Sequence, residues 1–390
     1  MQWLDMTYTY PGTREHPLHP PSDYFAMAQE GPIVRAGLAD GRQVWLVTRY
    51  DEARRVLADT RFSSDARKPG FPVRRSPSSL IRDDPPRHTF LRRFLAEEFR
   101  GRAIARLRPV VEQIVRDLSG AMERECTAEF MSTFAMPLPS TVICRLLAVP
   151  DEDHELLQSM GARTLSATAS DAEVDAAVDD LGSYMRLVVE RELRRPSDSV
   201  VGRLAMASQS HGMDPETLVD LCRLLLVAGH VTTVNAIGIG LYSLLKHPAQ
   251  WELLCRRPQL VNRAVEELLR FLTVAQTMSR VATVDIDLAG AHIRAGDGVM
   301  VLLTVANRDE RIFERPNEFD MERPRRPHLA FGHGPHLCLG AALAQLEMRV
   351  AFDHLVRTFP QLSLAAGDDE MEYRTKVLIY GVHALPVRLV

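Results

Sequence analysis

A single cysteine, Cys338, lies in the stretch Ala330 to Glu347, AFGHGPHLCLGAALAQLE. It follows a loop containing Gly332, Gly334 and Pro335, and an apolar-periodic helix begins just after it at Leu339. A thiol at a helix N-terminus meets the positive end of the peptide dipoles, which favours the thiolate as nucleophile or metal ligand. The small residues before it leave room for something large and flat to lie against the backbone. Two other readings stand beside this one. Most lone cysteines are small buried hydrophobes. A compact metal site from His333, His336 and Cys338 is also conceivable, although no second Cys or His pair closes a tetrahedron.

The elements that must position this thiol come from a chain of 390 residues, long enough to bury a large core. The net charge of -4 argues against nucleic-acid binding driven by overall charge. Five cysteines without paired spacing fit a reducing compartment rather than a disulfide framework. The N-terminal MQWLDMTYTYPGTREHP holds no apolar run of signal-peptide or membrane-anchor length, so a soluble, cytoplasmic protein is expected.

A proline-rich lead-in (Pro11, Pro17, Pro20, Pro21) gives way to a strand at Gln43 to Tyr50 and a short helix at Asp51 to Ala58. Residues 64 to 84 read as a loop, and a helix starting near Asp84 puts His88 and Arg92 on one face. From Arg102 to Ser210 the pattern is mostly helical, with two amphipathic helices in 155 to 195 that part near Ala169-Ser170-Asp171. Asp214-Pro215 opens a helix that runs until Pro248 stops it, spanning roughly 45 to 50 Å. Arg223, His230, Thr232, Thr233 and Asn235 make it too polar for a membrane span. Glu267 and Arg270, three apart, can pair on the next helix. VDIDLAGAHIRAGDGVMV reads as paired strands, the helix after Cys338 continues to Phe359, and YRTKVLIYGVHALPVRLV reads as a hairpin.

The run Phe331 to Gly340, F-G-x-G-x-H-x-C-x-G, resembles the haem-ligand signature of the cytochrome P450 family, and further motifs of that family follow in order along the whole chain. The resemblance implies a mainly α fold with a smaller β-rich lobe (α+β), in which a long central helix lies over the haem. It implies one domain, 1-390, whose β-rich lobe comes from about 30-65, 275-305 and 372-390. The cofactor would be haem b, iron protoporphyrin IX, with Cys338 as axial ligand. Phe331, Gly332, Gly340, His336 and Ala228 would border it, and His88, Arg92 and Arg280 would hold its propionates. Leu337, Pro335 and Gly340 would limit water at the sulfur. Glu267, Arg270 and Arg323 would brace the cysteine loop without acting in catalysis. The 64 to 84 loop and the 155 to 195 helix pair would cover the active site. Candidate pocket residues by family position are Ser79, Leu80, Leu225, Ala228, Val231, Val274, Ala275, Gln276 and Ile379.

One motif departs from the pattern. Ala228-Gly229-His230-Val231-Thr232-Thr233 has valine where the family carries an acid that relays protons to bound dioxygen. Valine cannot relay a proton. His230 is turned about 100° around the helix and cannot simply replace the acid. Thr232 keeps the expected oxygen-contacting role.

The resemblance thus implies a bacterial-type monooxygenase acting on a small hydrophobic or aromatic secondary metabolite. No flavin or iron–sulfur segment is present, so electrons would come from a ferredoxin and its reductase. Arg92, Arg93, Arg100, Arg102 and Arg349 would form their docking face on a monomer. Two alternatives remain: radical coupling or cyclisation without oxygen insertion, which the valine favours, and a non-catalytic haem sensor.

Overall fold

The computed structural model describes residues 8–73, 80–164, 170–367, 370–374 and 379–389. The chain divides into two compact units. The first comprises Met1–Phe90, Asn262–Leu339 and Leu378–Tyr380; the second comprises Leu91–Val261, Gly340–Val377 and Gly381–Val390.

The first unit is built on a six-stranded sheet ordered Thr9–Tyr10, Ile33–Leu38, Gln43–Val47, Gly298–Leu302, Thr277–Ala282 and Phe62–Ser63. Val44 to Val47 pair in parallel with Gly298 to Val301, and most other neighbours run antiparallel. Alternation along the strands supplies two cores. Val47, Val299 and Val301 face Ala53, Val56 and Leu57 of the Tyr50–Ala58 helix. Val44, Leu46, Met300 and Leu302 face Tyr24 and Met27 of the Ser22–Glu30 helix. Every residue of Gly298–Leu302 is buried, as expected for a strand covered on both faces.

A buried ionic network ties the helix Val261–Leu272 to the loop leading to Cys338. Arg270 binds Glu267 bidentately at 2.7 and 2.8 Å, and Arg323 Nε donates to Glu267 Oε1 at 3.0 Å. The remaining guanidinium protons reach the carbonyls of Asn307, Pro316, Glu318, Glu314 and Arg315. Asn307 passes the restraint on: its Nδ2 donates to Thr273 Oγ1 at 2.9 Å, and its Oδ1 accepts the Leu329 N–H at 2.7 Å. Thr273 has φ 43, a strained choice for a β-branched residue of about 1–3 kcal/mol. Its hydroxyl donates to the carbonyls of Leu269 and Arg270 and so helps hold it there.

The second unit is mainly helical. Its 32-residue helix, Pro215–Lys246, starts at the proline and ends just before Pro248. Asp214 stands at its N-cap, yet its side chain makes no capping bond. By length and composition this helix is apolar enough to cross a membrane, but 72% of its most apolar window is buried in protein, which suits a core helix. The two amphipathic helices are His154–Thr164 and Asp171–Arg194. Ser170 and Glu173 form a reciprocal capping box on the latter.

Two boundaries differ from the sequence reading. The helix carrying His88 begins at Arg87, after Pro85 and Pro86, rather than at Asp84. The C-terminal segment pairs as a hairpin at Tyr373 and Val382, but it then continues into Pro386–Arg388, which joins a separate sheet with Thr127–Glu129 and Ser363–Leu364. Arg323→Ala leaves the buried Glu267 carboxylate with one cation instead of two. It should destabilise the first unit by about 3–5 kcal/mol in urea unfolding, whereas an exposed Arg315→Ala should change stability by less than about 1 kcal/mol.

Candidate functional site

The loop ending at Cys338 is closed by backbone bonds within the first unit. Gly332 N–H donates to Leu329 at 2.8 Å, Leu337 to Gly334 at 3.0 Å and Cys338 to Phe331 at 2.9 Å. Gly332 and Gly334 have φ of 73 and 72, open to glycine without strain. A Cβ at Gly334 would stand 2.6 Å from the Leu57 carbonyl oxygen and 2.8 Å from Ala58 Cα, so this backbone rests on the end of the Tyr50–Ala58 helix. Cys338 is exposed, and three residues later the chain enters the helix Ala341–Thr358. Leu337, expected to shield the sulfur, is 43% exposed.

Buried nitrogen donors belong to the same unit. Arg280, on strand Thr277–Ala282, is buried; its Nη1 donates to the Ser279 carbonyl, and its Nη2 has no protein partner. Burial and the Arg82 charge push this guanidinium down to about 10, while Asp84 acts in the opposite sense. It is still a cation at neutral pH, and a desolvated N–H of this kind calls for an anion. The His88 and His336 rings lie 3.9 Å apart between centroids. An exposed thiol on a glycine-turned loop and an unpartnered buried guanidinium nitrogen fit an iron-bearing ring with carboxylate arms. Arg92 follows His88 by one turn of the same helix and is half-buried, within the second unit.

On the long helix, Thr232 Oγ1 donates to the Ala228 carbonyl at 2.9 Å, which leaves its oxygen as an acceptor. Val231 is buried, and Asn235 Nδ2 donates to its carbonyl at 2.7 Å. Gly229 packs against Ile143, where an added Cβ would meet Cδ1 at 3.1 Å. His230 is buried and its Nε2 has no hydrogen-bond partner. Burial and the nearby Arg374 charge push it down to about 4, so it is neutral at pH 7.

Of the pocket candidates, Val274, Ala275, Gln276 and Ile379 come together in the first unit. Ala275 bridges Ile379, and Tyr380 N–H donates to the Val274 carbonyl at 2.9 Å. Leu80 is buried at the start of a single turn, Leu80–Arg82. Leu225, Ala228 and Val231 belong to the second unit, as does Gly340. Ser79 lies outside the described residues. Arg93, Arg100 and Arg102 are exposed, with Arg100 paired to Glu97.

Sequence reasoning passed over three groups. Arg82, which bears electrostatically on Arg280 and lies over the Phe71 ring, stands in a charged stretch that gives no signal. Arg14 donates to Gln276 from an irregular lead-in. Glu347 is fully buried with Oε2 unpartnered, and burial pushes its carboxyl well up. Its place on the apolar stripe of AALAQLEMRV was the available clue.

A family model described as Cytochrome P450 matches residues 13–151 and 250–387, leaving out the part of the long helix that carries Val231 and Thr232. The chain is similar to pentalenic acid synthase of Streptomyces avermitilis, 41% identical over 388 residues covering 97% of this chain and 96% of the relative. It is also similar to 20-oxo-5-O-mycaminosyltylactone 23-monooxygenase of Streptomyces fradiae, 38% identical over 388 residues covering 97% and 91%. Among solved structures, cytochrome P450 MoxA from Nonomuraea recticatena superposes with a TM-score of 0.91 at 38% identity, covering 97% of this chain and 98% of that one.

The state of His230 sets a pH dependence. Below pH 6.5 an unfolded histidine takes up a proton that the native one refuses until about pH 4, so stability falls as pH drops through that window. Urea unfolding at pH 7 and pH 5 should show this loss, up to about 3 kcal/mol by pH 4, and His230→Phe should remove that component.

Proposed function

The chain belongs to the cytochrome P450 family and is an oxidoreductase, and on that premise we propose that it is a haem-thiolate monooxygenase of small, hydrophobic or aromatic secondary metabolites. Its cofactor is haem b, its electrons come from a ferredoxin and ferredoxin reductase, and it works as a cytoplasmic monomer. The observation that carries the reading is the glycine-braced loop ending in Cys338, in the unit that also holds the unpartnered Arg280 nitrogen. The relatives named as a synthase and a monooxygenase support oxidation of a small organic molecule.

When bound, a haem with an anionic sulfur ligand supplies dioxygen activation able to oxidise unactivated C–H bonds. The chain's own residues do the rest. Cys338 would hold the iron and supply electron density from its sulfur. Arg280, His88 and Arg92 would hold the propionates, and Phe331, Gly332, His336, Gly340 and Ala228 would border the ring. Glu267, Arg270 and Arg323 keep the loop in register from a distance. Thr232, with its proton committed to Ala228, receives a hydrogen bond rather than giving one. Val231 supplies no proton, so water or a substrate hydroxyl must do so.

The same valine favours a second reading, in which hydrogen abstraction is followed by coupling or cyclisation without oxygen transfer. Product mass under 18O2 separates the two: label in the product supports insertion, and an unlabelled coupled product supports the alternative. Cys338→Ser should abolish the absorbance band that the reduced carbon monoxide complex shows under thiolate ligation. A variant that kept the band would refute the ligand assignment.

A further inference from the structure

Three segments far apart in sequence meet at Arg14. Its Nη2 donates to Gln276 Oε1 at 2.9 Å, its Nη1 donates to the His19 carbonyl, and its guanidinium carbon lies 3.7 Å from the Tyr380 ring centroid. Gln276 follows Ala275 and Tyr380 follows Ile379, and Ala275 and Ile379 are the two partners of the antiparallel bridge. Arg14 therefore grips both sides of that bridge one residue further along each chain.

The segment bearing Arg14 is itself anchored. Tyr10 Oη and Thr277 Oγ1 share a 3.0 Å hydrogen bond, and Gly12 N–H donates to Tyr24 Oη at 3.1 Å. Arg308, buried and stacked on Phe271, donates to the Leu18 carbonyl at 2.9 Å and to His19 Nδ1 at 3.1 Å. The guanidinium is thus a rigid fork on a fixed mount, able to orient what it touches. A desolvated cation is a poor way to gain stability alone, because apolar groups fill such space at lower cost. Its contacts are with an amide oxygen, a carbonyl and an aromatic face, all of which demand a particular geometry.

We propose that Arg14 is a positioning residue for the wall formed by Val274, Ala275, Gln276 and Ile379, and thereby a determinant of which ligands fit over the haem. This rests on the haem-thiolate reading and on those four residues facing substrate. With Arg14 in place, the Gln276 amide oxygen is held by the guanidinium and the Tyr380 ring lies under it, so both strands of the bridge are tied to one side chain. Without it, the wall loses definition while the iron and its sulfur ligand are untouched.

The test uses the holoenzyme and two iron-binding probes read by the Soret shift, imidazole and 4-phenylimidazole. Imidazole reports the haem alone, whereas the phenyl group must also lie against the wall. Arg14→Ala should weaken 4-phenylimidazole binding by about five- to tenfold and leave imidazole binding unchanged. Gln276→Ala should produce the same selective loss, and the double variant should lose no more than the larger single one. Should Arg14→Ala not accumulate as folded holoenzyme, Arg14→Lys, which keeps the charge and loses the fork, carries the same expectation. Equal loss for both probes, no loss for either, or additive losses in the double variant would overturn the proposal. A wild-type protein that gives no Soret shift with imidazole would instead sink the haem assignment on which this depends.

Discussion

Glu267 is a buried carboxylate shared by two buried guanidiniums, those of Arg270 and Arg323, in the unit that also holds the cysteine loop. One negative charge against two positive ones leaves a surplus cation, which the backbone carbonyls around 307 to 318 absorb. Buried ion clusters of this kind add little net stability over well-packed apolar groups, but they tolerate few geometries. Here the tolerance is passed by Asn307 to Leu329, and by the loop's own backbone bonds to Cys338. The network reaches the loop through Asn307 and the Leu329 N–H.

The candidate site residues are distributed over both units. The sulfur, Arg280 and the His88–His336 stack belong to the sheet-containing unit, and Thr232 belongs to the helical one. Each is prepared by a different physical device. The first uses glycines at positive φ and buried cations; the second uses a long apolar helix on which Thr232 and Asn235 bond back to the carbonyls of Ala228 and Val231. Val231 fits the second device well: it is buried, and its side chain has nothing to satisfy.

Much of this was readable from residues alone, and the reasons are specific. The long helix announced itself through Pro215 at its first turn and Pro248 just past its last. The Tyr50–Ala58 helix was legible because Ala53, Val56 and Leu57 recur at helical spacing. Gly298–Leu302 was legible as a strand but not as the centre of a six-stranded sheet, since a wholly apolar run carries no mark of its partners. Glu267 and Arg270 meant little until family order gave them a place. Arg14, Arg82 and Glu347 went unread because their importance lies in burial among distant segments, and burial of a charged residue leaves no local pattern. Ser170 and Glu173 did carry a local signature, the capping box, that fixes where the Asp171–Arg194 helix begins.

The parallel pairing of Val44 with Gly298 has a consequence for biogenesis. As the chain leaves the ribosome, the strand Gln43–Val47 can close a hairpin with Ile33–Leu38, but its other edge has no partner until residue 298 has been made. At about 5 to 20 residues per second, that wait lasts roughly 10 to 50 s. An apolar strand with one bare edge invites pairing with other nascent chains throughout that interval. The contiguous stretch Leu91–Val261 can meanwhile begin forming helices from local contacts, which need no such delay. Slower translation between the two strands lengthens that exposure.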